Sequence, residues 1–134
     1  MRSVVALALI LIVGSNVFAS EKRYSCNFKS VDSKEYELIF AYNGVWPYKL
    51  QGKVSIYKES IEVFQTKGRV IYGQEIDFDN KLATDYLLLG FDGTYVPAEY
   101  FQLMFSKNKL IARLKLSAVF ENDGVQESSC KEDE

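Results

Sequence analysis

The side chains that could do chemistry in this 134-residue chain are few, because histidine is absent. Without histidine the chain cannot build a Ser-His-Asp triad, a Cys-His dyad or a histidine-ligated zinc site. The chain has two cysteines, Cys26 and Cys130, and pairing them in a disulfide removes thiolate nucleophiles and cysteine-ligated zinc. The glycines are scattered singly and form no phosphate-binding loop. The sequence therefore favours a non-enzymatic protein without a cofactor.

Three carboxylates form the only pattern that suggests catalysis or metal binding. Glu75, Asp77 and Asp79 alternate with apolar residues, so on a strand they would project from one face. Such a face could hold a hard cation such as Ca²⁺, or supply the acid and base of a glycan hydrolase. The glycine and distal glutamate of a calcium loop are missing. A solvent-exposed acidic face explains the pattern more simply, and a hydrolase that uses Asp77 and Asp79 is kept as the alternative.

Aromatic residues beside prolines are the candidate binding residues. Trp46-Pro47-Tyr48 and Tyr95-Val96-Pro97 fall in predicted connecting segments. Rings on rigid loops lose little entropy on binding, so Trp46, Tyr48 and Tyr95 are predicted to contact a protein partner or a small apolar ligand. Two alternatives remain open: these rings could cap the ends of a small core, or inward rows of Tyr and Phe could line a ligand cavity.

Residues 1–19 have the features of a secretory signal peptide. Arg2 precedes an apolar stretch at 4–13, and Ala19 offers a small residue for cleavage. The apolar stretch is too short for a membrane span, which needs about 20 residues. We therefore expect one domain at 20–134, secreted or periplasmic, with no membrane span after cleavage.

The exported location determines how the cysteines are interpreted. Two cysteines in an oxidising compartment are expected to form a disulfide. Cys26 lies near the start of the expected domain and Cys130 near its end. A bond between them predicts that the first and last strands lie side by side, with Cα atoms less than about 7 Å apart.

The expected domain is all-β, because it is rich in Tyr, Phe, Val and Ile. Turn signals recur at short intervals, among them Asn43-Gly44, Gln51-Gly52, Lys67-Gly68, Asp92-Gly93 and Asn122-Asp123-Gly124. This spacing predicts about eight antiparallel strands in a small barrel or a sandwich. Strict alternation predicts one long strand at 110–121. Residues 81–88 and 98–106 fit either a helix or a strand, and a strand is preferred at 100–106.

The charge of the chain limits its partners. A net charge of −2 without a basic run argues against nucleic acid and anionic lipid as partners. A transmembrane barrel is disfavoured because the strands carry Lys, Arg and Glu where a lipid-facing band is apolar.

One resemblance concerns the layout of the chain. The layout is similar to that of periplasmic lysozyme inhibitors: an exported leader is followed by Tyr24-Ser25-Cys26, and Cys130 lies near the end. The Ser-Gly inhibitory loop of that family has no counterpart here, so the resemblance implies an architecture and no site. The sequence predicts an exported non-enzymatic binding protein; the alternatives are the hydrolase and a structural subunit of an envelope assembly.

Overall fold

The computed structural model describes residues 21–30, 33–92, 97–120 and 124–133. The predicted signal peptide and Tyr95 lie outside these residues. The described ranges hold eight strands and no helix: β1 (Lys22–Lys29), β2 (Glu35–Val45), β3 (Lys49–Lys58), β4 (Ile61–Asp77), β5 (Leu82–Gly90), β6 (Tyr100–Ser106), β7 (Lys109–Lys115) and β8 (Val125–Glu132). In these ranges, accordingly, no helix has the length and apolar character to cross a membrane.

The strands form a closed antiparallel barrel. Each strand pairs with the next in the chain, and β8 pairs with β1. The predicted all-β class and the eight antiparallel strands are confirmed, and of the two predicted architectures the barrel is the one observed. The two segments that also fitted a helix are the strands β5 and β6.

Side chains fill the interior of the barrel. Alternate residues of the strands point inward, and those with the largest fully buried side chains include Phe40, Phe101, Leu38, Leu87 and Leu103. The rings of Phe40 on β2 and Phe101 on β6 are 4.9 Å apart, centroid to centroid. Because β2 and β6 lie on opposite sides of an eight-stranded barrel, this contact spans the interior. The interior is therefore a packed core, as small barrels commonly have.

β4 is longer than the turn signals predicted. It runs through Lys67-Gly68 without reversing, and β3 likewise runs through Gln51-Gly52. Gly52 serves packing: a Cβ built on it would lie 2.5 Å from Cγ2 of Val70. The predicted turn at Asn43-Gly44 is also wrong, because β2 continues to Val45. Glycine suits position 44 since its φ is +123°.

The predicted long strand at 110–121 is wrong beyond Lys115, where β7 ends. The N–H of Phe120 donates to the carbonyl of Leu116 at 2.8 Å, which turns the chain. Both Leu116 and Phe120 remain buried, and the ring of Phe120 packs against that of Tyr36 at 4.9 Å. The apolar alternation therefore continues past the strand because a turn, rather than an extended backbone, directs these side chains into the core.

The predicted disulfide joins β1 to β8. Cys26 and Cys130 lie directly opposite each other in the register, and their Cα atoms are 4.3 Å apart. The first and last strands are therefore adjacent, as the sequence predicted. We call this junction the β1–β8 seam.

Candidate functional site

Large exposed apolar residues concentrate at one end of the barrel. We call it the hairpin end, because the β2–β3, β4–β5 and β6–β7 connections lie there. Six of the nine large exposed apolar residues in the described chain belong to it: Val45, Trp46, Tyr48, Ile76, Phe78 and Leu82. We call these six residues the apolar end surface. Apolar residues exposed together in this way mark interaction surfaces.

Two of the three predicted binding residues belong to this surface. Trp46 is 50% exposed and Tyr48 is 73% exposed. The ring of Trp46 rests on that of Tyr72, with centroids 5.1 Å apart. Tyr48 is too exposed to cap the core, which weakens that alternative. The role of these rings in binding stays a prediction. The third residue, Tyr95, lies outside the described residues.

A polar network supports the aromatic contact. The hydroxyl of Tyr72 and the side-chain amide of Gln74 each donate to Oδ1 of Asp85 at 2.8 Å. These bonds, that from Gln74 first, lower the pKa of Asp85, and the bond to Asp85 raises the pKa of Tyr72. The network links β4 to β5 where their hairpin leaves the barrel. It therefore fixes the tyrosine ring on which Trp46 rests.

The predicted acidic residues are occupied by structural bonds. The carboxylate of Asp77 accepts from the backbone N–H of Asp79 at 3.0 Å and from the side-chain amide of Asn80 at 2.8 Å. These bonds, that from the Asn80 side chain first, lower the pKa of Asp77. Glu75 forms an ion pair with Arg113 at 3.3 Å.

These contacts bear on the enzymatic alternative. A general acid that works near neutral pH has a raised pKa, whereas Asp77 closes the β4–β5 turn as an ionised acceptor. Among the described residues there is also no group of three ligating side chains that could hold a metal ion. The geometry lends no support to a carboxylate-dependent hydrolase, and Asp77 is better explained as the cap of its own turn.

Sequence reasoning missed the contribution of the β4–β5 hairpin to this surface. It treated the acids as the informative residues and did not single out Ile76, Phe78 or Leu82. The available signal was Phe78, which stands between the turn-forming residues Asp77 and Asp79. A large ring in such a context is solvent-exposed, and Phe78 is 82% exposed.

A surface depression lies elsewhere, on the outer wall of β2, β3 and β4. Small residues, Ala41, Gly52 and Gly68, line it together with Lys53 and Lys67. It is an open trough whose lining mixes polar and apolar groups in similar proportion. Pockets that bind small molecules are enclosed and mostly apolar, so we place the candidate site at the apolar end surface.

Comparisons of the chain with protein-family models, with curated proteins and with solved structures find no match. Similarity therefore assigns neither a family nor an activity, and function is inferred from the geometry of the apolar end surface.

Proposed function

We propose that this chain is an exported, non-enzymatic binding protein that holds a protein partner through the apolar end surface. The observation that carries the proposal is the concentration of exposed rings and aliphatic side chains at one end of a filled barrel. At about 150–250 Å² per aromatic side chain, the exposed fractions of Trp46, Tyr48 and Phe78 correspond to roughly 400 Å². That area matches the largest apolar patches of monomers, which are commonly functional.

A protein is favoured over a small apolar ligand for a steric reason. The core of the barrel is occupied by its own side chains, such as Phe40 and Phe101, so an enclosed ligand has no room there. The exposed rings instead form an open surface, and tryptophan and tyrosine are common anchors of protein interfaces.

The compartment belongs to the same proposal. The predicted signal peptide indicates export, and the Cys26–Cys130 disulfide is compatible with an oxidising compartment such as the periplasm or the cell exterior. No charged cluster or bound group is needed for this function, which agrees with the scarcity of chemically reactive side chains.

The proposal is tested by crosslinking in the native compartment. The wild-type protein and the variants Trp46→Ala, Tyr48→Ala and Phe78→Ala are treated with a short amine-reactive crosslinker and compared by immunoblotting. We expect a discrete crosslinked protein species that weakens at least tenfold in the variants, since truncation of an aromatic anchor typically removes about 2 kcal/mol of binding free energy.

Ile61→Ala is the matched control. Ile61 is a 67% exposed apolar residue at the other end of the barrel, so its truncation should leave the species unchanged. A wild-type protein without any crosslinked species, or equal crosslinking in all variants, contradicts the proposal.

A further inference from the structure

Part of β4 is an unpaired sheet edge. β3 pairs with β4 only as far as the Leu50–Val70 position, while β5 pairs with β4 from Val70 to Asp77. On the β3 side, residues 71–77 therefore have no strand beside them in the described chain. No backbone hydrogen bond from a described turn or loop reaches this stretch either. We call residues 71–77 the free edge.

The register identifies which backbone groups face outward at the free edge. The Cα separation of 4.3 Å between Cys26 and Cys130 is that of a pair without mutual hydrogen bonds. Hydrogen-bonded and non-bonded pairs alternate along each antiparallel ladder, and this alternation can be followed from β1 through β2 and β3 to β4. It shows that even-numbered residues of β4 direct their N–H and C=O groups toward β3, and that odd-numbered residues direct theirs toward β5. The same rule makes Arg23 and Asp133 a bonded pair, and the N–H of Asp133 does donate to the carbonyl of Arg23 at 2.8 Å.

Three residues of the free edge therefore direct both backbone groups to a side on which the described chain offers no strand partner: Tyr72, Gln74 and Ile76. The ring of Trp46 lies on that of Tyr72. Proteins usually protect such edges with lysine, proline, bulges or a covering segment. The free edge contains neither proline nor lysine, and its pairing with β5 shows no register shift. It is an intact template for another strand.

We infer that the protein partner at this surface is a second copy of the same chain, whose free edge pairs antiparallel with the first around a two-fold axis at Gln74. The inference rests on the proposed function and identifies its partner. In this register Gln74 faces its own copy and Tyr72 faces Ile76 of the other chain. With three residues from each copy, the ladder has about six backbone hydrogen bonds.

The side chains are self-complementary in this register. Ile76 is 51% exposed and would pack on Tyr72 of the other copy, beside the Trp46 ring that rests on that tyrosine. On the opposite face, Glu75 meets Gly73, so no like charges are directly opposed. Asp77 comes within diagonal reach of Arg69, an oppositely charged neighbour. The two copies therefore match in hydrogen bonds and apolar contacts. In charge, the Asp77–Arg69 approach offsets the diagonal approach of the two Glu75 carboxylates, each of which is paired with Arg113 of its own chain.

The exposed rings of the apolar end surface supply about half of the area that a stable dimer interface buries. The exposed rings of the apolar end surface contribute roughly 400 Å² per copy, and the backbone and aliphatic groups of the hairpin add to this area. A stable interface buries about 800 Å² per partner. A closed two-fold arrangement consumes both free edges and leaves none for further growth.

The first experiment measures self-association of residues 20–134 by sedimentation equilibrium. Gln74→Pro removes the outward N–H of Gln74 at the centre of the free edge, and proline is tolerated on an edge strand when its nitrogen faces solvent. The control Gln74→Ala removes the same side chain and keeps the N–H. We expect the wild-type protein to dimerise. Dimerisation should be about thirtyfold weaker in the Pro variant than in the Ala variant, because both lack the Gln74 side chain and only the Pro dimer loses the two central hydrogen bonds.

The second experiment is independent of the folding of the proline variant. In the wild-type protein at high concentration, the amides of Tyr72, Gln74 and Ile76 should gain protection from hydrogen exchange, and they should lose it again on dilution. The amides of Gly73 and Glu75 should be protected at every concentration, because they bond to β5. This alternation distinguishes strand pairing from loose contact of apolar side chains.

The third experiment tests the two-fold axis. Cα atoms of bonded pairs lie about 5.5 Å apart, within the range of a disulfide, so Gln74→Cys should crosslink to its own copy under oxidising conditions. Gln65→Cys is the control, since Gln65 is equally exposed on β4 but pairs with Ser55 of β3. Crosslinking of both variants, or of neither, contradicts the register.

The outcomes separate this inference from the proposed function. A protein that stays monomeric at millimolar concentration, with unchanged exchange at the free edge, overturns the second copy as partner. If crosslinking in the native compartment still depends on Trp46 and Phe78 in that case, the binding function stands with a different protein as partner. If crosslinking does not depend on Trp46 and Phe78 either, the inferred dimer and the proposed binding function are both wrong.

Discussion

Removal of the Cys26–Cys130 disulfide should destabilise the barrel chiefly at the β1–β8 seam. Every other junction in the barrel pairs six or more residues, whereas β1 and β8 pair over three. β8 also contributes little apolar burial, because its inward-facing residues include Gln126 and Ser128. The disulfide of Cys130 is therefore the covalent attachment of a seam that is otherwise held by a short ladder and by polar contacts such as Ser25 Oγ–H to Asp133.

The magnitude follows from loop closure. The cysteines are separated by 104 positions, and closing a loop of that length stabilises the folded state by about 4–5 kcal/mol in the chain-entropy model. Domains of this size have a total free energy of unfolding of about 5–15 kcal/mol. The variant Cys26→Ala/Cys130→Ala should therefore fold, with roughly a third or more of its unfolding free energy removed.

Urea denaturation and hydrogen exchange together measure this effect. We expect the unfolding free energy of the double variant to fall by about 4 kcal/mol. The seam amides of Ser25 and Lys131, which the register pairs, should lose protection before those of the β2–β3 ladder. Reduced wild-type protein is the control, because its thiols still fill the space of the buried Cys26 side chain. A loss below about 1 kcal/mol with unchanged seam protection would refute the idea that the disulfide holds the seam.

Two further substitutions test the packing and the electrostatics. Gly52→Ala should destabilise the fold by about 1–3 kcal/mol, because the added Cβ would lie 2.5 Å from Val70. In the control Gly68→Ala, the added Cβ would meet its nearest neighbour at 3.4 Å, so the unfolding free energy should change by less than about 0.5 kcal/mol. Equal effects of the two substitutions in urea denaturation would contradict this expectation. Tyr72→Phe removes a donor from Asp85, so the pKa of that carboxyl should rise toward its ordinary value in an NMR titration. Because the pKa of Asp85 is lower in the folded protein, the bond stabilises the fold above the ordinary pKa of about 3.9, and this effect is lost as pH falls through the folded pKa. The difference in unfolding free energy between wild type and variant should therefore shrink in acid. A pH-independent difference would show that the bond does not act through the carboxylate.

The sequence predicted what local alternation and covalent chemistry determine. The pattern of the Tyr, Phe, Val and Ile residues specified the strands, and Cys26 and Cys130 specified that the first and last strands meet. It did not predict the length of β4, because Lys67-Gly68 resembles a turn when seen alone. In the barrel, Gly68 instead lies in the ladder opposite Gly52, and pairing with β3 overrides the local preference for a turn.

The candidate site shows the same division between local and long-range information. Trp46 and Tyr48 were found because rings beside a proline are visible in the sequence. The free edge was not predictable, since it exists only because β3 begins at Lys49 while β4 continues to Asp77. Which backbone groups lie unpaired is a property of two strands compared with each other. The alternation of either strand alone carries no information about it.

The edges of β1 and β8 are paired with each other, whereas the free edge of β4 has no strand partner in the described chain. This difference favours pairing with another chain at the free edge. Closure of β1 on β8 removes two edges that would otherwise invite association, and the disulfide between Cys26 and Cys130 holds that closure where apolar burial is poor. The projecting β4–β5 hairpin recreates an edge, and Phe78 at its tip is 82% exposed. Lysine and proline, which commonly protect an exposed edge, are absent from residues 71–77. A regular strand with apolar neighbours at that position is what a strand-pairing interface requires.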